Sequence, residues 1–190
     1  MNKVKSVDED KEILKLYMVD DEYIKDLHDN VDKHIFANVD PRYNHTRKYL
    51  GILLIINGFS YYAPLSSPKP SDYMQLNGNS VIRNSIPPII RMVETDQDGK
   101  RSLLGTIKLS NMIPVPKDKL MLYDLDNESD EHYKNLILKE ERFIKRNDQM
   151  IISFAEKLYN EKTSGKCNKG YIQNTFDFAT FEKYVSKKQQ

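Results

Sequence analysis

Asn57-Gly58 separates two apolar runs of strand length, Tyr49–Ile56 and residues 59–65. Both residues tolerate the positive φ that a two-residue turn requires, so the pair is a strong hairpin signal. Tyr49–Ile56 is apolar almost throughout and reads as a buried strand. The returning strand runs into Ser66-Ser67-Pro68-Lys69-Pro70, where two prolines prevent further pairing. Counting outward from the turn sets Leu65 opposite about Leu50. Arg47 and Ser67 are therefore expected at the same open end of the hairpin.

The remaining elements are arranged around this hairpin. Residues 13–19 are short, apolar and partly alternating, as in a strand. Asp20 or Asp21 can cap a helix over about 21–34, with Ile24, Leu27 and Val31 at helical spacing. Residues 38–48 hold Asp-Pro and several turn formers and read as a loop. Residues 70–88 are loop-rich. A second hairpin is expected from 89–94 and 103–109, turning at Asp96-Gln97-Asp98-Gly99, with short strands at 111–115 and 120–125. Ser129 or Asp130 caps one helical run and Asp148 opens another. Residues 145–148 form either a turn or a continuation between them. Residues 163–170 form a loop before a terminal helix over about 176–187. This order is α+β: a compact, strongly bent antiparallel sheet or small barrel with packed helices and a helical C-terminal part. The expected organisation is one domain over 1–190, with 1–12 as an N-terminal extension.

Composition narrows the class. A 39% hydrophobic and 30% charged balance is globular. One cysteine, Cys167, cannot form an internal disulfide, which indicates a reducing compartment. The charged first residues do not read as a signal peptide, and no apolar run approaches the roughly 20 residues of a membrane span. A cytoplasmic protein with no membrane association is expected. Residues 41–122 carry 11 Lys and Arg against 5 Asp and Glu, a net +6, whereas residues 1–40 carry a net −5. A basic middle segment attracts phosphates, although a solvated basic surface balanced by the acidic start accounts for charge alone.

Several patterns carry no site. Asp96-x-Asp98-Gly99 lacks the later ligands of a calcium loop. The acidic stretch from Asp124 to Glu131 suits a helix start. The four histidines have no metal-ligand spacing. No metal or cofactor is expected. What remains is Ser66-Ser67-Pro68-Lys69 at the end of a rigid strand, facing the segment Arg42-Tyr43-Asn44-His45-Thr46-Arg47-Lys48. RNA carries its own nucleophile in the 2′-hydroxyl. A metal-free ribonuclease needs only help with that proton, donors on the phosphate oxygens and an acid for the leaving 5′-oxygen. Ser67, Arg47 and Lys69 can supply donors and positive charge. Tyr43 or Tyr23 can stack a base or relay a proton. A plain Ser-Ser-Pro turn with flanking surface charges is the competing reading.

The chain resembles the ToxN/AbiQ family, the protein toxins of type III toxin–antitoxin systems. The matching residues are Glu22-Tyr23-Ile24-Lys25-x-Leu27, Asp40-Pro41-x-Tyr43, Tyr49-x-Gly51-Ile52 and Tyr62-Ala63-Pro64-Leu65-Ser66-Ser67-Pro68-Lys69. They continue with Leu104-Gly105-x-Ile107-x-Leu109-x-x-Met112-Ile113-Pro114 and Phe143-Ile144-x-Arg146-Asn147. The resemblance implies a sheet like that of the MazF/Kid/CcdB toxins. It implies a metal-independent, sequence-specific endoribonuclease that leaves a 2′,3′-cyclic phosphate and a 5′-hydroxyl on cellular or phage RNA. It also implies a partner: a repeat-derived antitoxin RNA, cut into units by the toxin, inhibiting it and closing with it into a ring, in a bacterial system that aborts phage infection.

By the same resemblance, Ser67 matches the family's active-site serine, Ser66 stands where threonine is common, and Lys69 matches a motif lysine. Tyr23 and Tyr43 match active-site tyrosines. Arg47 stands where lysine is expected. Arginine stays charged, so Arg47 suits phosphate stabilisation better than proton transfer. Lys48 can substitute, although strand alternation would turn it to the other face. Lys48 and His45, with Lys145 and Arg146 in the helical part, complete the expected RNA-binding set. Two other classes stay open: a non-catalytic RNA-binding module, and a toxin of the same fold that binds a protein target.

Overall fold

The computed structural model describes residues 14–35 and 47–188. The expected extension 1–12 and the candidates Tyr43 and His45 lie outside the described residues. The first strand, β1 (Lys15–Val19), buries Leu16 and Val19. Asp20 then accepts a hydrogen bond from the Tyr23 N–H at 2.8 Å and caps α1 (Asp21–Asn30). This helix ends four residues before the expected boundary. The N–H groups of Val31 and Asp32 both turn back to the Leu27 carbonyl, and the Asp32 carboxylate takes the His34 N–H at 2.8 Å. A local side-chain acceptor thus competes with helical continuation.

The central hairpin is β2 (Tyr49–Ile56) and β3 (Phe59–Ser66), turning at Asn57 (φ 52°) and Gly58 (φ 84°). Its register differs from a straight count. Leu54 faces Tyr61 as expected, but Leu50 faces Ala63 rather than Leu65, because β2 bulges between Leu50 and Leu54. Gly51 lies in that bulge, and a Cβ there would land inside the Tyr62 ring. Close approach of an aromatic ring to the backbone is a standard reason for glycine within a strand.

The loop-rich segment after β3 contains a hairpin that the sequence reading missed: β4 (Tyr73–Leu76) and β5 (Asn79–Ile82), turning at Asn77-Gly78. Both strands are mostly exposed, so no buried-face alternation announces them. Strands β6 (Ile90–Thr95) and β7 (Arg101–Ile107) form the expected hairpin, with Asp96 accepting N–H bonds from Asp98 and Lys100. Short strands β8 (Ile113–Pro114) and β9 (Leu120–Leu122) follow. The sheet order is β6-β7-β3-β2-β1-β9, with β8 also pairing β3. Its two ends do not meet, so the sheet is open and the small-barrel expectation is corrected.

Asp130 caps α2 (Glu131–Arg146) by accepting the N–H groups of His132 and Tyr133. Asn147 breaks the helix, and α3 (Asp148–Thr163) starts at once. A last helix, α4 (Phe178–Lys188), closes the described chain. Helix α2 packs on β6 and β7, α3 on β2, and α4 on β8. Tyr61, Tyr159 and Phe178 meet in this layer at ring separations of 5.4–5.7 Å. Glu182 of α4 accepts from the hydroxyls of Tyr61 and Tyr159, both at 2.7 Å, which satisfies two phenols the core would otherwise strand. No described helix is long and apolar enough to cross a membrane.

Candidate active site

Strand β3 ends between two basic residues. The Leu65 N–H donates to the Lys48 carbonyl at 2.8 Å on the β2 side, and the Lys108 N–H donates to the Pro64 carbonyl at 3.0 Å on the β7 side. The backbone ladder therefore fixes where both lysines leave the sheet. Arg47 reaches the same point, donating from Nη1 to the Leu65 carbonyl at 3.2 Å. The Arg47 and Ser67 grouping expected from the hairpin thus holds even though the register is shifted. The bulge moves Lys48 opposite Leu65, which brings Arg47 beside the strand end.

These residues line a groove of about 690 Å³ between the strand ends and α2. Its lining includes Ser66, Ser67, Pro68 and Lys69 of the serine loop, the cations Arg47, Lys48 and Lys108, and Tyr133, Leu136, Ile137 and Glu140 of α2. Ser67 and Lys69 are exposed at the rim and Ser66 is half-buried. Among the described residues no hydrogen bond engages the Ser67 hydroxyl, which leaves it available to a ligand.

The serine loop is anchored from below. The Asp72 carboxylate, 1% exposed, accepts the Lys69 N–H at 2.9 Å and pairs with Arg91 at 3.2 Å. Arg91 is itself 7% exposed and is held by the Asn84 carbonyl at 2.8 Å. This ion pair joins a loop to the edge strand β6. The sequence reading did not single out either residue, because 18 intervening positions give no local pattern.

Electrostatics separate the four cations. Lys48 is 5% exposed, with its ammonium 4.1 Å from the centre of the Tyr123 ring and 5.7 Å from that of Tyr133. Burial lowers its pKa, and Glu128 partly opposes this. Burial likewise lowers that of Lys108, with the Asp72 carboxylate opposing. Lys48 lines the groove, and its ammonium rests between Tyr133, which shares that lining, and Tyr123, which does not. The aromatic faces compensate part of the desolvation of its charge.

Other candidates fall elsewhere. The Tyr23 hydroxyl donates to the Pro114 carbonyl at 2.6 Å, outside the groove lining, and burial pushes its pKa well above the usual phenol range. In this position it braces α1 against β8. Lys145 and Arg146 are exposed at the end of α2, roughly 9 Å along the helix axis from Glu140. There they favour the helix dipole rather than the groove. Among the described residues, no group of three or more His, Cys, Asp or Glu could hold a metal ion. A cationic groove with the Ser67 hydroxyl at its rim and two lysines of lowered pKa suits a phosphodiester.

The chain is similar to known proteins. The family model described as toxin ToxN of type III toxin–antitoxin systems matches residues 15–186. The chain is 30% identical over 169 residues to the endoribonuclease ToxN of Pectobacterium atrosepticum, covering 89% of this chain and 90% of that protein. It is 31% identical over 151 residues to the endoribonuclease ToxN of Bacillus thuringiensis subsp. kurstaki, covering 78% and 69%. A solved structure concerned with selective toxin inhibition by a non-coding RNA pseudoknot superposes with a TM-score of 0.72 at 25% identity, over 94% of this chain and 99% of that one. The structure of AbiQ, a lactococcal anti-phage endoribonuclease, shares the fold with a TM-score of 0.70 at 22% identity, over 93% and 98%. This chain belongs to the ToxN family of type III toxin–antitoxin toxins.

Proposed function

We propose that the chain is a metal-independent, sequence-specific endoribonuclease toxin, and that the groove between the serine loop and α2 is where RNA is cut. The observation that carries this reading is the gathering of Ser67, Arg47, Lys48, Lys69 and Lys108 around one groove of about 690 Å³. The substrate's 2′-oxygen attacks phosphorus and the 5′-oxygen leaves, giving a 2′,3′-cyclic phosphate and a 5′-hydroxyl. Arg47 and Lys48 stabilise the charge on the phosphate oxygens. Ser67 donates to one of those oxygens or relays a proton, and Lys69 steers the strand at the rim.

Its partner in this reading is a small repeat-derived RNA, which it processes and which then blocks the same groove. Relatives support this: one solved structure concerns inhibition by an RNA pseudoknot, and another concerns a processed non-coding RNA that regulates a bacterial antiviral system. A ring of alternating protein and RNA subunits, cellular or phage RNA as targets, a cytoplasmic location, one domain over the chain and kinship of the sheet with the MazF/Kid/CcdB toxins belong to the same proposal. The test is cleavage of the operon's own repeat RNA by purified protein in EDTA. Ser67→Ala is expected to lower the rate by about 100-fold or more while still binding the RNA. No cleavage by the wild type, or cleavage indifferent to the substitution, would refute the reading.

A further inference from the structure

The serine loop and its cations supply positive charge and hydroxyls, but RNA cleavage also needs a group that gives a proton to the leaving oxygen. Helix α2 turns one carboxyl inward. Glu140 is 6% exposed, yet it lines the groove. Its position relative to the serine loop can be read from Gly105 of β7. A Cβ built there would meet Glu140 Oε1 at 2.5 Å and the Ser66 carbonyl oxygen at 3.1 Å. Glycine at this position is what lets the carboxyl lie against the backbone next to Ser66, one residue from Ser67. No described hydrogen bond or ion pair engages the Glu140 carboxyl.

We propose that Glu140 is the acid of RNA cleavage, delivering its carboxyl proton to the 5′-oxygen that leaves phosphorus. The inference rests on the endoribonuclease reading above. As the 2′-oxygen–phosphorus bond forms, the 2′-hydroxyl proton passes to water in the groove. As the phosphorus–5′-oxygen bond breaks, the proton on Glu140 goes to that oxygen. The resulting carboxylate recovers a proton from solvent after the products leave.

The surroundings favour the acid role over the base role. Burial raises the Glu140 pKa to about 8, so the carboxyl holds its proton near neutrality. A bound phosphate adds negative charge to the groove and favours the protonated form further. Arg47 and Lys48 before β2, Lys69 in the serine loop and Lys108 after β7 bring positive charge to the same groove and oppose this, while Asp32 and His34 after α1 also line it. On β6, Arg91 is committed to Asp72 and Glu94 to Lys139. On α2 itself, Tyr133 shares the groove and Glu141 is exposed. Helix α3 contributes no side chain to the lining.

The test uses an oligonucleotide spanning the cleavage position mapped with the wild type, made with either oxygen or sulfur as the leaving atom. Sulfur leaves without a proton. Rates are taken per molecule competent to bind an uncleavable 2′-deoxy analogue, so misfolded protein does not count. Glu140→Gln is expected to lower kcat on the oxygen substrate by about 100-fold or more, leave KM unchanged, and match the wild type on the sulfur substrate. The wild-type rate on oxygen should fall above pH of about 8, and the sulfur rate should not. An equal loss on both substrates, or no loss on oxygen, overturns the proposal. Wild-type cleavage abolished by Ser67→Ala, together with an indifferent Glu140→Gln, would remove this inference and leave the endoribonuclease reading intact.

Discussion

Asp72→Ala tests whether the serine loop depends on the buried ion pair beneath it. The substitution removes a carboxylate that is 1% exposed, leaving the Arg91 guanidinium, 7% exposed, with only the Asn84 carbonyl described at its end. Breaking a buried pair from one side costs about 3–5 kcal/mol, because the surviving charge stays desolvated. Against a total stability of about 5–15 kcal/mol this is a large share. With a urea slope of about 2 kcal/mol/M, the unfolding midpoint should fall by about 2 M. Replacing both partners with apolar residues, Asp72→Leu with Arg91→Met, should restore most of that midpoint. Activity should stay low in the double variant, because the Lys69 N–H has still lost its acceptor at 2.9 Å and the loop that carries Ser67 is no longer held. Equilibrium urea unfolding and cleavage rates on the same preparations decide the matter. A midpoint shift under about 0.5 M for Asp72→Ala, or a double variant as unstable as the two single losses added, would refute the reasoning.

Three further outcomes follow from packing and protonation. Gly51→Ala should cost about 1–3 kcal/mol, as a methyl group displaces the Tyr62 ring, and should appear as a melting temperature lowered by about 2–4 °C per kcal/mol. Glu182→Ala leaves the Tyr61 and Tyr159 hydroxyls without their shared acceptor, and thermal melting should show a loss of about 1–3 kcal/mol per stranded group. The Glu140 carboxyl binds its proton more tightly folded than unfolded, so its contribution to stability is complete below the unfolded value of 4.5 and is lost as pH rises towards about 8. Glu140→Gln should therefore raise the melting temperature at pH 9 and leave it nearly unchanged at pH 4, as read by calorimetry across that range.

Local chemistry is what the sequence made legible. The hairpin at Asn57-Gly58, the Asp20 and Asp130 caps and the Asp96 turn are each set by a few adjacent residues with special φ or a side-chain acceptor, and these appear where they were read. The β4–β5 hairpin carried the same Asn-Gly sign, but its exposed strands gave no pattern to support it. The proximity of Arg47 to the serine loop was also readable, since pairing outward from a turn brings strand ends together. Its details were not. The Leu50–Leu54 bulge depends on Tyr62 packing against Gly51, so the register shift could not be counted from the turn.

The groove itself is a product of tertiary packing. Glu140 looks like one more surface charge in Lys139-Glu140-Glu141-Arg142 until α2 is laid on β6 and β7 and one of those four side chains is turned inward over Gly105. Lys48 became a buried cation only because Tyr123 and Tyr133, more than 70 residues away, close over it. Tyr23 is held away from the groove by a bond to Pro114, which lies 91 residues along the chain. Turns and caps are short-range and were written in the chain. Burial, which decides which charges keep a proton and which side chains share a cavity, belongs to contacts between distant segments.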